Sequence, residues 1–370
     1  MYVLQLCHGY GMPFHYVARQ YARLFKGSPY RVITVFLTGE KNETIAKMCE
    51  SHAVFFLENS SKDLRGLKRH QIAQVRKLYR QWNFSFAIAH RYKSLYIASH
   101  INNLFVFGVQ HAFGGYHRWS RRWYVKQNKR KLILLGVSDA IRDDMRRSLP
   151  KLGHDRIHTL YNCIDYEQLR QNLVNKKEAR NILGLPKDAY VFGNVGRLHP
   201  DKDQETLLRA FARCACQLPD AMVVIVGKGR LEQKLKDLAE ELHIRQRVIF
   251  TGVIENAAHY FKAFDAFVLT SDHEPFGMVL LEAMVAGVPV AACNTGGAPE
   301  IVGNAGEVFG LRDDQRLSQV MIKYYDLDSI RKQEITDKGT QRVIEYFSEE
   351  PLRKDMGKFI QYLQVNRNES

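Results

Sequence analysis

Long apolar runs are absent from this 370-residue chain. No stretch approaches the roughly 18 residues that a membrane-crossing helix needs, so no transmembrane anchor is expected. Cysteine is scarce: the six, at 7, 49, 163, 214, 216 and 293, form no Cys-x-x-Cys and no zinc spacing. That argues against a zinc module and for reduced, buried thiols in a cytosolic protein. The start, "MYVLQLCHGYG", lacks the basic leader and apolar core of a signal peptide and reads as a strand breaking into a glycine loop. That loop, "HGYGMPFH", offers only Gly9 and Gly11, without the third glycine of a dinucleotide fingerprint, which speaks against a dehydrogenase. Repeats and low-complexity segments are missing too. Acids are short in one half only. Residues 1–165 hold 27 Lys and Arg against 10 Asp and Glu, hence +17, whereas 166–370 hold 27 against 29, hence −2, which together make the formal +15. A positive field confined to the first half selects anionic partners and phosphate-rich membrane surfaces, with nucleic acid as the rival class.

What the chain does hold is a packed α/β composition, 45% hydrophobic and 11% aromatic. Its length predicts two domains of about 170 to 190 residues. Short apolar strands alternate with helical stretches, first in "YVLQLC", "YRVITVF", "AVFFL", "FSFAIAH", "LFVFGVQ" and "LILLGVS". A second series runs through "AYVFGNVG", "AMVVIVG", "RVIFTG", "DAFVLTS" and "VPVAAC". The pattern predicts two doubly wound, Rossmann-like domains with parallel sheets facing a central cleft. The expected boundaries are 1–168, 169–347 and a helical tail, 348–370, that crosses back to the first domain. The break is expected near 165–187, where "QNLVNKKEARNILGLPKD" is polar.

In the second series the chemistry sits in the loops that follow strands. "NVGRLHPDKDQETLLRAF" sets Arg197 and Lys202 just before a helix, where two cations suit a diphosphate and the charge that develops on one. "VVIVGKGRLEQKL" puts Gly227 and Gly229 in a tight strand-to-helix turn, and "IFTGVIEN" puts Val253 and Ile254 where they would flank a base. In "TSDHEPFGMVLLEAMVAGVPV" a strand ends at Ser271 and Pro275 keeps Glu274 out of helical geometry. A helix from Phe276 or Gly277 then carries Glu282 in its second turn. Taken singly, these are a surface cation, a packing glycine or a solvated acid.

In this order the four segments resemble the retaining glycosyltransferases of the GT-B fold, family 4 (glycosyl transferases group 1), of the lipopolysaccharide-core or cell-surface glycan type. The resemblance is strong over about 190–303 and fainter before, in "LLGVSDAIRDDM" and "LYNCID". It implies a hexosyltransferase that takes a nucleotide sugar, UDP-linked, with neither metal nor other cofactor. Arg197 and Lys202 would neutralise the leaving diphosphate, Glu274 would accept hydrogen bonds from the donor sugar, and Glu282 from the ribose hydroxyls. The N–H groups of Phe276, Gly277 and Met278 would hold sugar or phosphate. Gly11 would bring its backbone near the diphosphate. His111, closing a strand in "GVQHAFGG", resembles the histidine the family places near the transferred sugar. In a departure, Asp203 stands where the family has glycine. This makes "DKD" a formal D-x-D, read as a loop variation rather than a metal site. The competing readings are a sugar-nucleotide epimerase and a non-catalytic sugar- or lipid-binding scaffold; no pyridoxal-phosphate lysine segment supports a phosphorylase.

"GGYHRWSRRWYVKQNKRK", 114–131, has seven Lys and Arg among 117–131, with Tyr116, Trp119 and Trp123 interleaved. As a helix it sets both tryptophans on one face among cations, as in a helix lying in a membrane interface. The expected partners are therefore a nucleotide sugar, an anionic glycan or lipid-linked acceptor, and a membrane surface met through 114–131; nucleic acid is not expected. The expected location is cytoplasmic, peripheral on the inner membrane.

Overall fold

Strands that are apolar on both faces need helices above and below them, which is the situation of a parallel sheet. The computed structural model, which describes residues 1–11 and 14–368 (364–368 by backbone alone), contains two such sheets. Met12 and Pro13 of the first glycine loop lie outside the described residues. The chain divides into two compact units, Met1–Cys163 together with the chain from Glu349 onward, and Ile164–Ser348.

The first unit holds β1 (Tyr2–Cys7), β2 (Arg31–Thr38), β3 (Ala53–Asn59), β4 (Phe84–His90), β5 (Val106–Gln110), β6 (Leu132–Gly136) and β7 (Ile157–Thr159), in the order β3-β2-β1-β4-β5-β6-β7. Val3, Leu4, Ile33, Ile88 and Phe107 are fully buried along it. The second unit holds β8 (Tyr190–Val195), β9 (Ala221–Val226), β10 (Val248–Gly252), β11 (Ala266–Leu269), β12 (Val290–Cys293) and β13 (Gly306–Phe309), in the order β10-β9-β8-β11-β12-β13. Its ladders are parallel, as are those of the first unit. This is the GT-B pair of Rossmann-like sheets. Each order reverses once, between β1 and β4 and between β8 and β11. At such a reversal the loops leaving two neighbouring strands part to opposite faces and leave a ligand crevice at the carboxyl edge.

One expectation changes. The polar stretch 165–187 is built into the second unit as two short helices, Tyr166–Asn172 and Lys176–Ile182, whose N-caps are Asp165 and Asn175. Arg180 and Lys176 both ion-pair with the buried Asp265, at 2.6 and 2.5 Å. The divide therefore falls between Cys163 and Ile164, ahead of 168/169. The helix Glu349–Asn368 belongs to the first unit: it buries Leu352, Met356 and Leu363, and Glu349 meets Arg23 at 2.5 Å. Among the described residues no helix is long and apolar enough to cross a membrane. Five of the six thiols are buried and Cys216 is exposed.

Candidate active site

The loops after β8 and β11 meet at the second unit's switch point, and their backbones are tied. Thr270 Oγ1 donates to the Lys202 carbonyl at 2.8 Å, and the Asp272 N–H donates to the Asp201 carbonyl at 3.0 Å. Lys202 ends a single tight turn, Pro200–Lys202, and Asp203 follows in the left-handed region at φ 44° before the helix Gln204–Cys214. Glycine is the easiest residue for that conformation, and Asp is among the few others that tolerate it. This accounts for Asp203 at the family's glycine position. Its carboxylate accepts from Thr206 Oγ1 at 2.6 Å.

Across the switch point Lys202 Nζ donates to Glu274 Oε2 at 2.8 Å, and both side chains are largely buried. Glu274 is held there from a third loop. The Gly297 N–H donates to the Glu274 carbonyl at 2.8 Å, and Thr295 Oγ1 donates to the Ser271 carbonyl at 2.6 Å. Gly296, at φ 58°, packs so closely that a Cβ on it would lie 2.0 Å from the Glu274 carbonyl oxygen. Gly277, at φ 110°, then opens the helix Met278–Val285 with no side chain capping it. Phe276 is buried with its ring 5.8 Å from Phe347, and Met278 is half-buried. Glu282 is half-buried on this helix, and burial in apolar surroundings pushes its carboxyl up to about 7.

The remaining predicted residues are more dispersed. Arg197 is exposed and lies 3.6 Å from Asp201, outside the Lys202–Glu274 pair. Asp201 also pairs with His199, so neither acid of the formal D-x-D is idle. No group of three or more His, Cys, Asp or Glu among the described residues could hold a metal ion. A Cβ on Gly227 would lie 1.9 Å from the Gly196 carbonyl oxygen, and one on Gly229 would lie 2.3 Å from that of Leu198. These two glycines let the turn after β9 press on the loop that carries Arg197. Val253 is exposed and Ile254 half-buried.

At the first unit's switch point, His90 ends β4 and His111 follows β5. Their rings are hydrogen-bonded, Nδ1 of His90 to Nε2 of His111, at 2.9 Å. Behind them Gln5 on β1 contacts His90 Nε2 at 3.1 Å and accepts from Thr34 Oγ1 at 3.0 Å. Burial, helped by the Arg91 charge, holds His111 down at about 3, so its ring is neutral. Gly11 is exposed with nothing within 4 Å of a notional Cβ, so packing places no demand for glycine there. In the basic stretch, the helix Trp119–Gln127 leaves Trp119 and Trp123 exposed, at 73% and 58%, beside exposed Arg118 and Arg122. Two members do not join that face. Tyr116 is buried, and Arg121 turns to the Gly115 carbonyl at 2.8 Å.

Residues 175–356 match the family model described as glycosyl transferases group 1. This segment, just under half of the chain, is similar to that family. The lipopolysaccharide core biosynthesis glycosyltransferase LpsE of Rhizobium meliloti is 29% identical over 172 residues, 46% of this chain and 49% of LpsE. The chain thus spans about half the length of the curated relatives it matches. Among solved structures, a glycosyltransferase from Rickettsia africae aligns over 99% of this chain and 98% of its own, with a TM-score of 0.83 and 16% identity. Anabaena HepE in complex with UDP and glucose aligns over 97% and 99%, with a TM-score of 0.76 and 20% identity. The GT-B likeness therefore covers nearly the whole chain, while the group 1 segment holds Arg197, Lys202, Glu274 and Glu282 together. Gly296, Gly297 and Thr270 escaped the sequence reading as site residues, although "NTGGAPE" stood inside the matching segment. Gln5 and His90 escaped it too.

Proposed function

We propose that the protein is a retaining, metal-independent glycosyltransferase that moves a hexose from a UDP-sugar to an anionic or membrane-associated glycan acceptor. The observation that carries this reading is the Lys202–Glu274 pair, seated at the β8/β11 switch point inside a group 1 segment. The donor would lie on the second unit. Its diphosphate would take Lys202 and Arg197, its sugar hydroxyls Glu274, and its ribose Glu282. In the transfer the sugar C1–O bond breaks with its electron pair passing to the diphosphate, and a new C1–O bond forms to an acceptor hydroxyl, whose proton leaves to phosphate or solvent. Preorganised cations stabilise the charge that grows on the leaving group, which is the part a metal would otherwise play. UDP is favoured as carrier because HepE binds UDP, and a lipopolysaccharide-core acceptor because LpsE is named for that synthesis. The first unit would take the acceptor. Exposed Trp119 and Trp123 among cations would lay it on the cytoplasmic face of a membrane as a peripheral protein.

The test is a panel of nucleotide sugars, screened by thermal shift and by donor hydrolysis with and without EDTA. A response to one UDP-sugar that EDTA leaves intact is expected. No response to any nucleotide sugar, or activity that EDTA removes and manganese restores, would sink the reading.

A further inference from the structure

Four cations of the first unit gather where no carboxylate answers them. Tyr92 and Tyr96 stand one turn apart on the helix Arg91–Ala98, their ring centroids 6.3 Å apart. Lys68 Nζ sits 4.8 Å from the centre of the Tyr96 ring, and the Arg121 guanidinium 4.8 Å from that of Tyr92. Lys93 lies between the two tyrosines in sequence, and the positive charges of Arg121 and Arg65 act on it. Arg65 and Lys68 line a cavity of about 840 Å³ at the carboxyl end of β3.

Three of the four, Lys68, Lys93 and Arg121, are half-buried rather than solvated tips. Ordinarily such cations acquire acidic neighbours; here two of them are held by aromatic faces and by a backbone carbonyl each, Gly66 for Lys68 at 2.7 Å and Gly115 for Arg121 at 2.8 Å. Among the described residues none of the four is ion-paired. The two acids that line the cavity are engaged by backbone: Asp63 accepts from the Ser60 N–H at 2.7 Å, and Glu58 from the Lys41 N–H at 3.0 Å. Lys68 is also the N-cap of the 14-residue helix Arg69–Trp82, whose first turn no side chain caps. That adds unanswered N–H groups of the same sign. Burial first, then the neighbouring positive charges, holds the Lys68 and Lys93 amines below their ordinary range. Like charges gathered without a carboxylate favour an anion among them.

We propose that Lys68 and Arg121, shelved on Tyr96 and Tyr92, together with Lys93 beside them and Arg65 at the rim, bind a phosphate group carried by the acceptor. The word acceptor rests on the transferase reading; the phosphate site rests on this geometry alone. Calorimetric titration of the full chain with inorganic pyrophosphate, in saturating UDP to fill the second unit's diphosphate site, tests it. The wild type should bind, and Lys68→Gln with Lys93→Gln should weaken binding about tenfold or more, as two charge-assisted contacts are lost. Lys77→Gln with Arg80→Gln, exposed positions on the neighbouring helix, should leave binding unchanged. The Lys68/Lys93 variant should melt no lower than wild type, because it relieves repulsion, so lost binding will not be lost folding. Equal affinity in that variant and the wild type, or no pyrophosphate binding at all, would overturn the proposal. If UDP itself does not bind, the donor reading fails, and the titration without UDP still judges the phosphate site. Vesicles of phosphatidylcholine with phosphatidic acid separate the sources. Vesicle binding that the variant loses and pyrophosphate displaces assigns the phosphate to a lipid headgroup. Vesicle binding that the variant keeps, while losing pyrophosphate, assigns it to a soluble phosphorylated glycan.

Discussion

Lys202 and Glu274 hold each other at 2.8 Å, and a donor bound as proposed would come between them. On the proposed reading the diphosphate would take the ammonium and the sugar hydroxyls the carboxylate, so that each partner would exchange one hydrogen bond for another. Lys202→Ala should therefore lower turnover by roughly a hundredfold, about 3 kcal/mol of lost transition-state stabilisation, with a smaller change in KM. Steady-state kinetics decide, and unchanged kcat would remove Lys202 from the chemistry. Glu282 gives a pH signature. Its carboxyl is raised to about 7, so the folded state holds a proton that the unfolded chain has already released. The stability this contributes is full below the ordinary carboxylate range and fades as pH rises through about 7. Glu282→Gln should accordingly be more stable than wild type at pH 8, by on the order of 2–3 kcal/mol read as a higher Tm, and little changed at pH 5. The same variant should bind UDP more weakly if the ribose needs a carboxylate. Parallel melting curves at both pH values would contradict a raised Glu282 carboxyl.

Elements fix these residues in ways that differ in how far a sequence reveals them. The strand, the proline turn and the helix around Glu274 were legible, because Pro275 and Gly277 constrain the backbone locally and the apolar run sets the helix. The role of Gly296 was not, since its demand for glycine comes from a carbonyl 22 positions earlier in sequence, brought near only by the finished sheet. Gly296→Ala should cost about 2 kcal/mol or more, from a left-handed backbone and a clash with the Glu274 carbonyl. It should loosen nucleotide-sugar binding more than its melting shift would predict, and equal binding at wild-type affinity would deny Gly296 any part in placing Glu274. Gln5 and His90 were illegible for another reason. A polar residue inside an apolar strand reads as an interruption until its partner on the next strand is known. The helix Trp119–Gln127 was read as an interfacial face, and the structure narrows that face to Arg118, Trp119, Arg122 and Trp123. Replacing Trp119 and Trp123 by Ser and Arg118 and Arg122 by Glu should abolish most binding to acidic liposomes. Each cation near such a surface contributes about 1 kcal/mol, screened beyond about 8 Å in physiological salt. UDP binding should survive. Liposome binding indifferent to lipid charge and salt would dismiss the interfacial reading.

At the scale of the whole molecule, the charge division of +17 against −2 coincides with the division into units closely enough to give each a separate electrostatic task. The fold class was legible from strand–helix alternation alone, whereas the divide at Cys163 was not, because polar residues that cap short helices look like a linker in one dimension. One feature of the chain path bears on its synthesis. The helix Glu349–Asn368 completes the first unit, burying Leu352, Met356 and Leu363 there, yet it is translated after everything in the second. On a ribosome adding about 5 to 20 residues per second, the unit begun first therefore closes last, and its basic surface waits, incompletely packed, while some 185 residues of the other unit emerge. A chain stopped after Ser348 should retain a protease-resistant second unit and present a digestible first one, and limited proteolysis of nascent or truncated chains will read that order directly. A chaperone that recognises exposed apolar surface beside positive charge would find its opportunity in that interval.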